Sequence, residues 1–166
     1  MINKIKENIY QLHFRNFGSC VYILKIKEKI ILIDTSGKEA REELLEDLQT
    51  LEIKPENVDI IIITHNHYDH IQNLELFSNS KIYHAEKLNE NSVIKEIPEM
   101  KIIETPGHTP ESKSYLYQDI LFSGDTLFHN GFIGRTDLPG GSEEKIMESL
   151  EKLKKIKYKI LCPGHV

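Results

Sequence analysis

The segment His65-Asn66-His67-Tyr68-Asp69-His70 places three imidazoles and a carboxylate within six residues. Imidazole nitrogen suits zinc, iron and nickel, and a carboxylate offsets the charge of a divalent ion. The chain has eight histidines, so chance would produce this pattern in on the order of one such sequence in a thousand. On an irregular loop, His65 and His67 can point one way while Asp69 and His70 point another, so one loop can serve two ions. His108, Asp125 and His165 lie further along the chain and can complete the ligand sets. The remaining polar residues have plainer readings. His13, His84 and His129 are structural or surface groups, and Cys162, within Ile160-Leu161-Cys162, belongs to the core. Asp34 reads as a hydrogen-bonding residue behind a ligand. Arg135 is placed to pair with Asp137.

These residues need a scaffold, and the hydrophobic periodicity supplies one. Ile9 to Phe14, Cys20 to Lys27 and Ile30 to Ile33 read as strands, the last two forming a hairpin across Glu28 and Lys29. Lys38 to Thr50 reads as an amphipathic helix with Leu44, Leu45, Leu48 and Leu51 on its apolar side. Val58 to Thr64 is apolar at nearly every position, as expected of a strand buried on both faces. It runs directly into His65, and a short helix over Asp69 to Phe77 should follow. Strands at Lys81 to His84 and Met100 to Glu104 and a hairpin of Tyr115 to Tyr117 with Ile120 to Phe122 come next. Ser142 should cap a helix with Ile146, Met147, Leu150 and Leu153 inward, before a last strand, Tyr158 to Cys162. Four strand ends thus precede the His65 to His70 segment, His108, Asp125 and His165, which is how a sheet sandwich gathers distant residues at one edge.

Composition narrows the classes. Leu, Ile, Val and Phe supply 51 of 166 residues, well above the roughly 20% below which chains tend to be disordered. One domain over residues 1–166, folding without help from metal or disulfides, is expected. A net charge of −5 gives no footprint for nucleic acid, and two cysteines make no disulfide framework. The longest aliphatic runs, Ile30 to Ile33 and Ile60 to Ile63, are far short of the ~20 residues of a membrane span, and Met-Ile-Asn-Lys-Ile-Lys lacks the apolar stretch of a signal peptide. No membrane partner and a cytoplasmic location follow as expectations.

Five segments resemble the metallo-β-lactamase fold hydrolases: Leu32-Ile-Asp-Thr35, Thr64-His-Asn-His-Tyr-Asp-His70, Thr105-Pro-Gly-His-Thr109, Ser123-Gly-Asp-Thr-Leu-Phe128 and Pro163-Gly-His165. They run in family order over about residues 32 to 165. Gly134-Arg-Thr-Asp137, followed by Leu138-Pro-Gly-Gly141, is similar to the glyoxalase II-like branch, which includes hydroxyacylglutathione hydrolases and persulfide dioxygenases. The resemblance implies an α+β, four-layer αββα fold. It also implies two divalent ions, zinc first with iron or manganese as alternatives. One ion would take His65, His67 and His108, the other Asp69, His70 and His165, with Asp125 bridging and Asp69 also orienting the attacking water. Arg135 would hold the anionic part of a small-molecule thiol ester. Relatives usually continue past the last histidine, and those acting on glutathione grip it from that extension. The chain ends at Val166, so the thiol carrier stays open and a homodimer contact near Tyr158 to Cys162 is expected to cover exposed apolar surface.

The leading expectation is therefore a metallo-hydrolase that cleaves a thioester by attack of metal-activated hydroxide. A rival reading puts one Fe(II) on His65, His108 and Asp125, as in a persulfide dioxygenase-like oxidoreductase. A third is a metal-binding domain with weak catalysis.

Overall fold

The computed structural model describes residues 1–166, which divide into two compact units. The first comprises Met1–Tyr83 together with His165, and the second His84–Gly164 together with Val166.

The first unit is built on a six-stranded sheet in chain order: β1 (Ile2–Lys6), β2 (Ile9–Leu12), β3 (Val21–Ile26), β4 (Lys29–Ile33), β5 (Ile60–Ile62) and β6 (Lys81–Tyr83). Strands β1 to β4 pair antiparallel, while β4, β5 and β6 run parallel. The two-residue period of a strand sends Val21, Ile23, Leu32, Ile61 and Ile63 into one core. There they meet Leu44 and Leu48 of helix α1 (Arg41–Thr50), and Phe77. Ile60, Ile61 and Ile62 are each at most 1% exposed, as a strand apolar on both faces should be. Ile33 lies opposite Ile62, and Ile62 opposite Tyr83. The three parallel strands therefore release the chain at one edge, where Asp34 and the His65 to His70 segment follow.

The second unit holds a four-stranded sheet, in the order β10 (Ile160–Pro163), β9 (Ile120–Gly124), β8 (Lys113–Tyr117), β7 (Lys101–Glu104). Strands β7 and β9 both pair antiparallel with β8, and β10 pairs parallel with β9. Thus β7, β9 and β10 share a direction, and the segments carrying His108, Asp125 and His165 leave the same edge of this sheet. Helix α3 (Glu143–Lys154) is capped by Ser142, whose side chain accepts from the Lys145 N–H. Its Leu153 packs with Ile103, Leu116 and Leu121, and Tyr158 and Leu161 lie against that cluster. Cys162 is 1% exposed, as read. No helix is long and apolar enough to cross a membrane.

Several local expectations need correction. Strand β1 was not expected, because Lys4 and Lys6 disguise the pattern of an edge strand paired on one side only. The helix over Lys38 to Thr50 is a 3₁₀ turn, Lys38–Ala40, followed by α1. The helix over Asp69 to Phe77 is α2 (Tyr68–Ile71) and a separate 3₁₀ turn, Leu74–Leu76. Leu45 and Met147 are exposed at 36% and 49%, so neither faces inward. In α3 the inward position is filled by Ser149, whose hydroxyl donates to the Pro106 carbonyl at 2.7 Å.

The two leucines of α1 test this orientation. Leu48→Ala should lower unfolding stability by about 2–5 kcal/mol by opening a cavity. Leu45→Ala should change it by roughly 0.5 kcal/mol or less. Urea denaturation of both variants decides, and equal losses would contradict the helix rotation described.

Candidate metal centre

The site begins with a buried carboxylate at the end of β4. Asp34 extends the parallel ladder, its N–H donating to the Ile62 carbonyl at 3.0 Å. It then adopts φ 60°, in the left-handed region that aspartate enters more readily than most residues. Its carboxylate, in a residue 2% exposed, accepts three hydrogen bonds. The Thr64 N–H donates at 2.8 Å, and the Thr64 hydroxyl and His70 Nδ1 each donate at 2.7 Å. A carboxylate accepts only, so His70 carries its proton on Nδ1 and offers the lone pair of Nε2. The single hydroxyl proton of Thr64 is committed to Asp34. Its oxygen therefore accepts from His65 Nδ1 at 3.1 Å, which selects the same tautomer for His65.

Within the first unit, Asp69, His70 and His165 each bring one ligand atom within 4.8 Å of the others. His165 Nε2 stands 3.2 Å from Asp69 Oδ2, and His70 Nε2 stands 4.0 Å from the same oxygen. The His65 ring lies 4.1 Å from that of His70 and 4.7 Å from that of His67. The backbone beneath is tied down. Thr35 donates to the His70 carbonyl from both N–H (2.8 Å) and hydroxyl (3.0 Å), and the Ser19 N–H donates to the Asp69 carbonyl at 3.0 Å. The buried Asn73 amide donates to the carbonyls of Thr35 and Gly37.

The second unit repeats the device with main-chain atoms. His108 Nδ1 donates to the Arg135 carbonyl at 2.7 Å, leaving Nε2 as its ligand atom, 3.5 Å from Asp125 Oδ2. Gly134 makes this approach feasible, since a Cβ there would collide with the Asp125 carbonyl and crowd His108 Nδ1. Gly107, at φ 140°, lets the preceding turn lie against the start of α3, where a Cβ would strike Ile146. The Arg135 guanidinium meets the Asp137 carboxylate through two bonds, of 2.9 and 2.8 Å. That hydrogen-bonded guanidinium holds the Asp137 carboxyl down to about 2, so the exposed pair stays charged at any ordinary pH.

The donor chemistry of both units, neutral imidazole Nε2 atoms beside carboxylate oxygens, fits a divalent ion such as zinc or iron. Asp34 stands behind His65 and His70, its carboxylate bonded to Thr64 and to His70 Nδ1. His129 is exposed and His13 and His84 are half-buried, outside these clusters. The sequence reading missed two positions, Thr64 and Gly134. Both lie inside motif segments, but a hydroxyl relay and a required absence of Cβ leave no mark in residue type alone.

A model of the metallo-beta-lactamase superfamily matches residues 14–91 and 81–165. The chain is 35% identical over 143 residues to Probable metallo-hydrolase MJ0296 of Methanocaldococcus jannaschii, covering 81% of this chain and 70% of that one. It is 30% identical over 143 residues to the hydroxyacylglutathione hydrolase of Idiomarina loihiensis, covering 78% of this chain but 53% of the relative, about half its length. Among solved structures, TTHA1623 in a di-iron-bound form superposes with a TM-score of 0.76 at 23% identity, covering 93% of this chain and 92% of that one. The likeness in fold extends over nearly all of the chain.

Asp34→Asn keeps the side-chain shape and removes the charge that fixes the two imidazoles. Zinc affinity, measured by competition with a chelator, should fall by roughly 10- to 100-fold. Unchanged affinity would show that Asp34 serves only the fold.

Proposed function

The chain belongs to the metallo-beta-lactamase superfamily, and we propose that it is a metal-dependent hydrolase acting on a small anionic thioester. The observation that carries this reading is the Asp34 relay, which commits Nδ1 of His70 and, through Thr64, of His65, and so presents Nε2 of both rings as ligand atoms, that of His70 4.0 Å from Asp69 Oδ2. In this reading His65, His67 and His108 serve one ion, Asp69, His70 and His165 a second, and Asp125 both. The similarity to a hydroxyacylglutathione hydrolase supports a thioester as substrate. The di-iron form of one structural neighbour keeps iron beside zinc as the metal.

When bound, divalent ions at carboxylate and imidazole sites supply a nucleophilic hydroxide near neutral pH and Lewis acidity toward a carbonyl oxygen. The protein contributes orientation. Asp69, 3.2 Å from His165 Nε2, would orient the attacking water by a hydrogen bond. The tautomers imposed on His65, His70 and His108 keep Nε2 available at all three rings. A thiolate leaves without help from a general acid, because thiols ionise near pH 8.5. Arg135 binds the anionic end of the substrate from its exposed position, in exchange for its bond to Asp137.

Zinc-loaded protein should release free thiol from acyl thioesters without consuming oxygen, and His70→Ala should lower kcat at least about 100-fold. Oxygen uptake by iron-loaded protein supplied with a persulfide, with no thioester cleavage, would replace this reading with the oxygenase one.

Arg135 has its own signature. Arg135→Ala should raise KM with kcat nearly unchanged, the mark of lost uniform binding, because the His108 bond uses the main chain of residue 135. Asp137→Asn should lower KM by releasing the guanidinium. A fall in kcat at constant KM would assign Arg135 to the transition state instead.

A further inference from the structure

We propose that Phe17 and Tyr68 form a preorganised aromatic platform that selects thioesters bearing an aromatic or flat apolar group. This substrate class deepens, and rests on, the thioester-hydrolase reading. Phe17 lies in the loop between β2 and β3, and Tyr68 opens α2, one residue before Asp69. Both are exposed, at 56% and 54%. Their ring centroids are 6.0 Å apart with planes 31° from parallel. The Phe17 ring lies 6.4 Å from the His165 ring at 28°, and His165 meets His70 edge-on at 5.3 Å. The rings form a row leading from solvent to the Asp69, His70 and His165 cluster.

A single exposed aromatic residue is unremarkable on a protein surface. Here the backbone on both sides of Phe17 is fixed. Before it, the Glu43 carboxylate of α1 accepts from the N–H groups of Arg15 (3.1 Å) and Asn16 (3.0 Å) and from the Arg15 guanidinium. Those bonds hold the Glu43 carboxyl below its ordinary range, so the clasp persists at neutral pH. After it, Gly18 packs where a Cβ would strike the Ser36 hydroxyl, and the Ser19 N–H donates to the Asp69 carbonyl. This anchoring orders a ring that buries little area of its own, so the fold gains little from the ring's position. A ligand gains more. Aromatic side chains held in place give large contact area at low entropic cost, and offset rings at 4.5–7 Å attract beyond their area burial. A flat group laid on Phe17 and Tyr68 would bring an attached thioester to the ligand end of the row. The group can belong to the acyl side or the thiol side, and the test separates the two.

Three anionic thioesters serve as probes with zinc-loaded protein: S-acetyl-3-mercaptopropionate, its phenylacetyl counterpart, and the S-acetyl ester of 4-(mercaptomethyl)benzoate. The readout is the ratio of kcat/KM for each aryl probe to that for the small one. Phe17→Ala and Tyr68→Ala should each reduce the ratio for one aryl probe by roughly tenfold, and the probe affected identifies the side that is bound. Met147→Ala, which truncates an exposed apolar residue of α3, should leave both ratios unchanged. Independently of turnover, the ketone analogue of each aryl probe, with CH₂ in place of sulfur, is titrated by NMR into wild-type and Phe17→Ala protein. For the side that is bound, its dissociation constant should rise roughly tenfold in the variant. Ratios and dissociation constants within twofold of wild type would overturn the platform. If no thioester is cleaved while the ketone constant still rises, the hydrolase reading fails and the platform stands as a binding site.

Discussion

The buried carboxylate of Asp34 decides where two imidazoles point, and much of the site depends on that constraint. A carboxylate at 2% exposure is costly unless hydrogen-bond donors meet it. The parallel pairing of β4 and β5 provides those donors. It brings the ends of both strands to one edge, so Thr64 supplies an N–H and a hydroxyl, and α2 supplies the His70 ring. The left-handed turn at Asp34 is the local cost of aiming the side chain back across the strand end. A sheet register is thereby converted, through one residue, into the tautomers of two histidines.

The two units reach the same chemical result by different means. In the first, a charged acceptor and a hydroxyl relay hold His70 and His65. In the second, a neutral main-chain carbonyl holds His108, and the acceptor is positioned by a residue without a side chain, Gly134. Hydrogen bonding to a carboxylate raises the basicity of an imidazole more than bonding to a peptide carbonyl does. His70 and His108 share a tautomer but differ in the acceptor that sets it.

Much of this was legible in the sequence because the relevant signals are local. The His65 to His70 spacing, the uninterrupted Ile60 to Ile63 run before it and the strand-end placement of Asp125 all survive in the structure. Illegible features arise from partners distant in the chain. Strand β1 carries lysines that read as a polar terminus until β2 is known to pair with it. In α3, Ser149 faces inward, where the Pro106 carbonyl accepts from its hydroxyl, while Met147 is exposed. Thr64 has the same composition signal as any strand-end threonine. Its importance appears only once Asp34, thirty residues earlier, stands beside it.

The clasp on the Phe17 loop shows how the stabilising groups of this chain are divided. The apolar cluster of Leu12, Val21, Ile23, Leu32, Leu44 and Ile61 stabilises the sheet by burial, which is non-directional and cannot by itself orient a histidine or a carboxylate. Directional bonds perform that task. Glu43 lies on the helix that contributes Leu44 and Leu48 to the core, and it reaches from there to the Arg15 and Asn16 backbone. The Asp69 carbonyl, on the ligand segment, receives the Ser19 N–H from the far end of the same loop. A loop held by the core helix at one end and by the ligand segment at the other inherits the rigidity of both. That is why a short exposed turn can keep an aromatic ring in one place beside reactive groups.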